Sequence, residues 1–262
     1  MLDTVMLGFI TDYEQVGYYN TASHLSKVLL SLVTSLSVVA IPRVSYYIQK
    51  SDYEKVNQLV GDSFAFVGFL GFPMAVGLMC ISPVFVPWFF GSQFTGAILP
   101  MEILSYLIIA IGFSNIAGVQ VLVGVGREKL FLIAILAGTV LNFSLNCVMI
   151  PLYGAIGASV ASLATELLVA VIMLYFIYKK TMIRIFTVND LLKSFVGALL
   201  FIPLKYVIPD MENAYMSLAV FGVSAVAIYF ISQKLLRNNF LSLTISVISN
   251  SINKNKYDSN NT

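Results

Sequence analysis

The apolar positions of this chain fall in long, nearly unbroken runs, with no sustained helical or alternating period. A bilayer core is about 30 Å thick, and a helix needs about 20 apolar residues to cross it. Seven runs reach that length, at 16–44, 59–81, 101–125, 130–151, 155–178, 191–208 and 215–236. Glycine and proline are scattered through them, which membrane helices tolerate better than soluble ones. Ahead of the first run, residues 1–10 are apolar but make only about 15 Å of helix. This segment reads as the end of a span, and it has neither the basic start nor the small-residue cleavage site of a signal peptide. The pattern predicts an all-α integral membrane protein with about seven full transmembrane helices and one partial N-terminal helix.

Composition agrees with that reading. Apolar residues make up 58% of the 262 residues, against about 45–50% in a soluble domain. Charged residues make up 11%, against about 25%. A soluble enzyme and a disordered chain are both excluded. The net charge of +2 is too small for a nucleic-acid partner.

The placement of charge is more informative than its sum. Apart from Lys27 and Lys205, all the Lys and Arg residues lie in alternate connections or the tail: Arg43 to Lys55, Arg127 and Lys129, Lys179 to Lys193, and Lys234 onward. The intervening connections at 11–15, 82–100, 152–154 and 209–214 carry none. The positive-inside rule then puts the basic set and the C-terminus in the cytoplasm. Phe85, Trp88, Phe89 and Phe90 mark an outer boundary, and Tyr46, Tyr47, Tyr175 and Tyr178 mark inner ones. Ser51 to Glu54 reads as a capping box opening a short amphipathic helix with Tyr53, Val56 and Val60 on one face. The chain divides into a bundle at 1–178, two further spans at 179–237 and a cytoplasmic tail at 238–262. Within that tail, 240–248 reads as an interfacial helix or frayed extension, and the polar 250–262 as disordered.

Ionisable groups at membrane depth are costly and mark cavities. Lys27 lies ten residues after Gly17, about 15 Å into its helix. Glu166 lies eleven residues after Ala155, about 16 Å in by the same rise. Both helices enter from the outer side, so both residues belong near the midplane. Lys27 suits attraction of an anionic substrate, and Glu166 suits a coupling ion or a proton. The plainer alternative is that the two pair and close a gap in the bundle. His24 shares the face of Lys27, three residues earlier. Asp3, in the partial helix, is placed to face the same cavity. Asn142 and Asn146, four residues apart, read as interhelical hydrogen-bonding groups. Cys80 and Cys147 sit in apolar runs and read as buried small hydrophobes. One histidine excludes a multi-histidine metal site. No phosphate loop, nucleophile elbow or zinc-protease motif is present, so the reading includes no catalytic residue, metal or cofactor.

Several stretches in order resemble the polysaccharide-transporter branch of the multidrug/oligosaccharidyl-lipid/polysaccharide flippase superfamily. They are Asp3-Thr-Val-Met-Leu-Gly8 with Glu14-Gln-Val-Gly-Tyr-Tyr-Asn-Thr-Ala22, then Ile41-Pro-Arg43, and then Asn142, Asn146 and Ile150-Pro-Leu-Tyr-Gly-Ala-Ile-Gly-Ala158 with Glu166 beyond. Phe90-Gly91 and Gly126-Arg127 stand where such proteins carry similar turns. The resemblance implies the C-terminal lobe of a MATE-like flippase in the bacterial plasma membrane. Such a protein moves oligosaccharide repeat units linked to an undecaprenyl-type pyrophosphate, by alternating access around a central cationic cavity. Lys27, His24 and Asp3 are then expected at the substrate and Glu166 at ion coupling. The other partners are membrane lipids and an N-terminal lobe, supplied by a longer polypeptide, a partner or a second copy. Two other readings are a cation-coupled drug exporter of the same superfamily and a non-transporting remnant or interaction partner.

Overall fold

The computed structural model describes residues 2–185, 187–207 and 213–242, and among these every regular element is helical. The tail expectations beyond 242, and the end of the connection near 209, lie outside the described residues. The bundle starts with α1 (Leu2–Ile10), α2 (Tyr13–Gln49) and α3 (Tyr53–Phe89). It continues through α4 (Ile98–Leu104), α5 (Leu107–Asn115) and α6 (Glu128–Lys180), and ends with α7 (Val188–Leu199), α8 (Phe201–Val207) and α9 (Ala214–Leu235). A 3-10 turn, Ser92–Ala97, precedes α4, and a π-helix, Ile116–Val123, extends α5. Among the described residues, four helical stretches are long and apolar enough to cross a membrane, at Tyr53–Phe89, Ser92–Val123, Glu128–Lys180 and Ala214–Leu235. Counting α2 across its 40° bend makes five.

α6 holds two of the predicted runs in one element. Straight, its 53 residues would extend about 80 Å, far beyond a bilayer. Gly154 breaks it with φ 53° and ψ −128°, a conformation that glycine reaches at little cost. The two arms then lie side by side: a Cβ on Gly138 would meet the side chains of Val169 and Thr165. Along a straight helix Gly138 and Val169 would stand about 46 Å apart. The connection at 152–154 is therefore the tip of a helical hairpin. Ala155 N–H at the tip donates to Gln15 Oε1 at 2.9 Å, which ties the reversal to the start of α2.

Three local departures have physical causes. The helix expected from a Ser51 cap is instead capped by Asp52, whose carboxylate accepts from Lys55 N–H at 3.2 Å. Ser51 sits at φ 56°, outside the extended backbone an N-cap adopts. The Lys55 ammonium, 2.8 Å away, also holds the Asp52 carboxyl below its usual range. The predicted short cytoplasmic helix is continuous with the span after it, and its Val56 and Val60 are fully buried. The run at 191–208 divides into α7 and α8, where Pro203 in the first turn of α8 has no N–H to continue α7. Tyr229 Oη reaches from α9 to donate to the Phe69 carbonyl at 2.7 Å and anchors the last helix on α3.

The hairpin tolerates little added volume. A Cβ on Gly157 would fall on the backbone carbonyl of Met149, whereas one on Gly222 would meet open space. Gly157→Ala should lower stability by about 1–3 kcal/mol, since backbone cannot move aside as a side chain can. Gly222→Ala, at an open helical site, should leave stability unchanged or raise it by about 0.5–1 kcal/mol. Thermal-unfolding midpoints in one detergent compare the two directly, and equal midpoints would contradict the packing described.

Candidate functional site

The site is built around Asp3. Its Oδ1 accepts from Asn142 Nδ2 at 2.9 Å, Asn146 Nδ2 at 2.9 Å and Ser162 Oγ at 3.1 Å. The two asparagines stand one turn apart on the first arm of α6, and Ser162 stands on the second. One carboxylate of α1 thus holds both arms. Asn146 Nδ2 also reaches Asn142 Oδ1 at 3.1 Å, and Tyr19 Oη of α2 lies 3.0 Å from Ser162 Oγ. Thr4 Oγ1 donates to Asn20 Oδ1 at 3.0 Å, a second tie between α1 and α2. The interhelical role expected of Asn142 and Asn146 is realised with a charged acceptor, and such bonds are stronger than neutral ones. Asn146 Oδ1 is buried without a partner. With Asp3, Asn142 and Ser162 it makes up an oxygen-rich set of the kind small hard cations take. Among the described residues there is no cluster of three or more His, Cys, Asp or Glu side chains.

Beside this node opens a cleft of about 480 Å³ between α1, α2, α5 with its π extension, and the two arms of α6. Lys27, Glu166 and Asp3 all line it. Lys27 is exposed and Glu166 half-buried. The ion pairs among the described residues are Lys55–Asp52 and Lys193–Asp190, so Lys27 and Glu166 do not neutralise each other. The gap-closing pair considered from sequence is not formed. His24 is exposed on α2 and is not among the residues that line the cleft.

Sequence reasoning passed over Asn115 and Thr165, which also line the cleft. Asn115 interrupts an apolar run, the same signal that singled out Lys27. Thr165 stands next to Glu166 but resembles the many hydroxyl residues that bond back to their own helix, and it gives no separate signal.

A second hollow of about 610 Å³ lies between α3 and the α8–α9 pair. Its lining is apolar, with Phe69, Trp88, Phe201 and Phe221 among it. α2 touches both hollows, through Lys27 in the cleft and Leu29 in the groove.

The Asp3 node sets a stability expectation. Asp3→Ala leaves Asn142, Asn146 and Ser162 without their shared acceptor, and stranding such groups costs about 1–3 kcal/mol. The thermal midpoint should fall accordingly, and α1 should gain access to protease. A midpoint equal to that of the unsubstituted chain would show that the node carries no load.

Residues 1–99 match the family described as "Polysaccharide biosynthesis protein". Over 173 residues the chain is 28% identical to a putative O-antigen transporter of Escherichia coli strain K12, covering 66% of this chain and 41% of that protein. Over 167 residues it is 26% identical to a probable low-salt glycan biosynthesis flippase of Haloferax volcanii, covering 62% of this chain and 34% of that one. The chain thus spans less than half the length of these curated relatives. Its fold superposes on a lipid II flippase in an inward closed conformation with a TM-score of 0.76, over 91% of this chain and 50% of the other, at 18% identity. Family match, relatives and fold agree in direction: this multi-pass membrane chain has the fold of the lipid II flippase and resembles the polysaccharide-transporter side of the multidrug/oligosaccharidyl-lipid/polysaccharide flippase superfamily.

Proposed function

We propose that this chain forms the C-terminal lobe of a flippase that carries lipid-linked oligosaccharide repeat units across the bacterial plasma membrane for surface polysaccharide synthesis. The observation that carries the reading is an unpaired lysine in a polar cleft within an apolar bundle. A cation at that depth is expensive unless something anionic visits it. A cleft with low-dielectric walls focuses the field of a charge inside it, so Lys27 suits the pyrophosphate of an undecaprenyl-type carrier. The apolar groove offers its long hydrocarbon tail a separate surface, and α2 links the two. An anion on a lipid fits this pairing better than an organic cation does, because Asp3 is already committed to three donors.

Glu166 is the candidate for a coupling cation or a proton, and its half-buried place in the same cleft lets it feel whatever charge Lys27 binds. Asp3 acts in this reading by holding the hairpin against α1 at the edge of the substrate space. His24 stands about one turn from Lys27 on α2, outside the cleft lining. Alternating access takes two lobes rocking about a shared cavity, and the second is contributed by a longer polypeptide that includes this chain or by a partner. The alternation of basic connections supports a cytoplasmic C-terminus.

Lys27→Ala, introduced into the native gene, should lower surface polysaccharide at least tenfold while membrane abundance stays constant. Lys27→Arg keeps the charge and should retain most of the export. Wild-type polysaccharide levels in the alanine strain would overturn the proposal.

A further inference from the structure

The cations of the basic connections are not used alike. Arg184, beyond the end of α6, is spent within the protein. Its Nη1 donates to the carbonyls of Ile183 at 2.9 Å and Thr181 at 3.1 Å, and its guanidinium lies 5.1 Å from the Tyr178 ring. Lys55 is paired with Asp52, and Lys193 with Asp190. Arg43 differs from all of these. It is exposed near the end of α2 and has no hydrogen-bond or ion-pair partner among the described residues. Lys50, at the C-cap of the same helix, forms no ion pair there either.

Sequence spacing brings these cations together. Residues 43, 46 and 50 are three and four apart, so they share one helical face. Tyr46 meets the neighbouring Tyr47 edge to face, with ring centroids 5.2 Å apart. Lys50 Nζ stands 4.5 Å from the centroid of the Tyr46 ring, and Lys55 Nζ reaches from α3 to 5.2 Å from that of Tyr47. An aromatic face attracts an ammonium without neutralising it. Beside the rings opens a hollow of about 370 Å³, lined by Pro42, Arg43, Tyr46, Tyr47 and Leu59. Neither tyrosine hydroxyl has a hydrogen-bond partner among the described residues. The nearby carboxylates do not cancel the charge of Arg43 and Lys50. Asp52 is committed to Lys55, and Glu54 acts on the same lysine.

We propose that this hollow binds the phosphate of an anionic phospholipid, at a site separate from the Lys27 cleft. Arg43 stands sixteen residues beyond Lys27, about 24 Å along the helix. A guanidinium fork takes two phosphate oxygens at once, and a tyrosine hydroxyl donates to a third. Lys50 adds a second positive charge at the rim. Pro42 and Leu59 give the hollow an apolar floor, which suits the glycerol and first methylenes of a lipid and does nothing for a free phosphate. The alternation of basic connections puts this end of α2 at the inner membrane boundary, where anionic headgroups attract basic side chains. A lipid held there touches α2 and α3 together and braces the turn between them. The proposal goes beyond the transport reading and does not depend on it.

Native mass spectrometry of the purified full chain in detergent tests it, with phosphatidylglycerol, phosphatidylcholine and inorganic phosphate as probes. The unsubstituted chain should retain phosphatidylglycerol at least about fivefold over phosphatidylcholine, as expected for one basic side chain beside an anionic headgroup. Arg43→Gln should lower phosphatidylglycerol retention about five- to tenfold, the loss of a hydrogen bond to a charged group. Tyr46→Phe removes one donor and keeps the ring beneath Lys50. It should lower retention about two- to fivefold, and it keeps the test open if Arg43→Gln does not fold. Lys179→Gln removes an exposed cation from the end of α6 and should leave retention unchanged, as should millimolar inorganic phosphate. Equal retention of the two lipids, or unchanged retention in either hollow variant, would overturn the proposal. An equal loss in Lys179→Gln would overturn it by showing a diffuse basic surface, and displacement by inorganic phosphate would do so by showing a soluble ligand. Lys27→Gln should leave phosphatidylglycerol retention as it is, so failure here and failure of the Lys27 reading are told apart. A loss in Lys27→Gln equal to that in Arg43→Gln would place the lipid in the cleft and overturn the separate site.

Discussion

The structure depends on one carboxylate. Asp3 Oδ1 takes hydrogen bonds from both arms of the α6 hairpin, and through Ser162 it is joined to Tyr19 of α2. Three elements that share no apolar period are thereby held at one point. A carboxylate inside a membrane protein is costly unless its lone pairs are filled, and here three donors fill one oxygen. The arrangement is available only because Gly154 turns α6 back on itself, bringing Asn142, Asn146 and Ser162 to one place. Apolar burial gives the bundle its bulk, but apolar contacts between helices in lipid are not directional. The polar node supplies the direction.

The cleft follows from that geometry. With Asp3 committed, the charges left over in it are a lysine and a glutamate that do not pair. Neutral hydrogen-bonding side chains, Ser23, Asn115 and Thr165 among them, line the same cleft. The proposed anion and coupling roles rest on the two unpaired charges. The neighbouring groove is apolar and belongs to different helices, so a molecule with a charged head and a hydrocarbon tail meets each part separately. α2 carries one residue to each hollow, Lys27 and Leu29, two positions apart.

Much of this was legible in the sequence because membrane residence imposes strong rules. Hydropathy located the helical runs, and the scarcity of charge at depth singled out Lys27 and Glu166, which the fold brings to one cleft. Local backbone events were harder to read. The α6 reversal falls in the connection that the sequence places at 152–154, although the positive φ at Gly154 that makes it leaves no separate trace. The run at 101–125 was legible as one span but not as the end of α4, then α5 and a π-helix, since the π register leaves no periodic trace. The cap at Asp52 lay one residue from the expected Ser51 because both residue types favour that position. Asn115 is a polar break in an apolar run, but only the fold shows that it lines the cleft.

The central claim is that the Asp3 node keeps open a hydrated cleft reaching Lys27 and Glu166 at membrane depth. Thiol accessibility tests it most directly. In a background with Cys80→Ser and Cys147→Ser, single cysteines at Lys27, Glu166 and the outward-facing Val140 are exposed to a membrane-impermeant maleimide in sealed membranes. The account predicts labelling at 27 and 166 and none at 140, where the side chain faces lipid. Protection of 27 and 166 equal to that of 140 would mean that no aqueous cleft exists there, and would contradict the account.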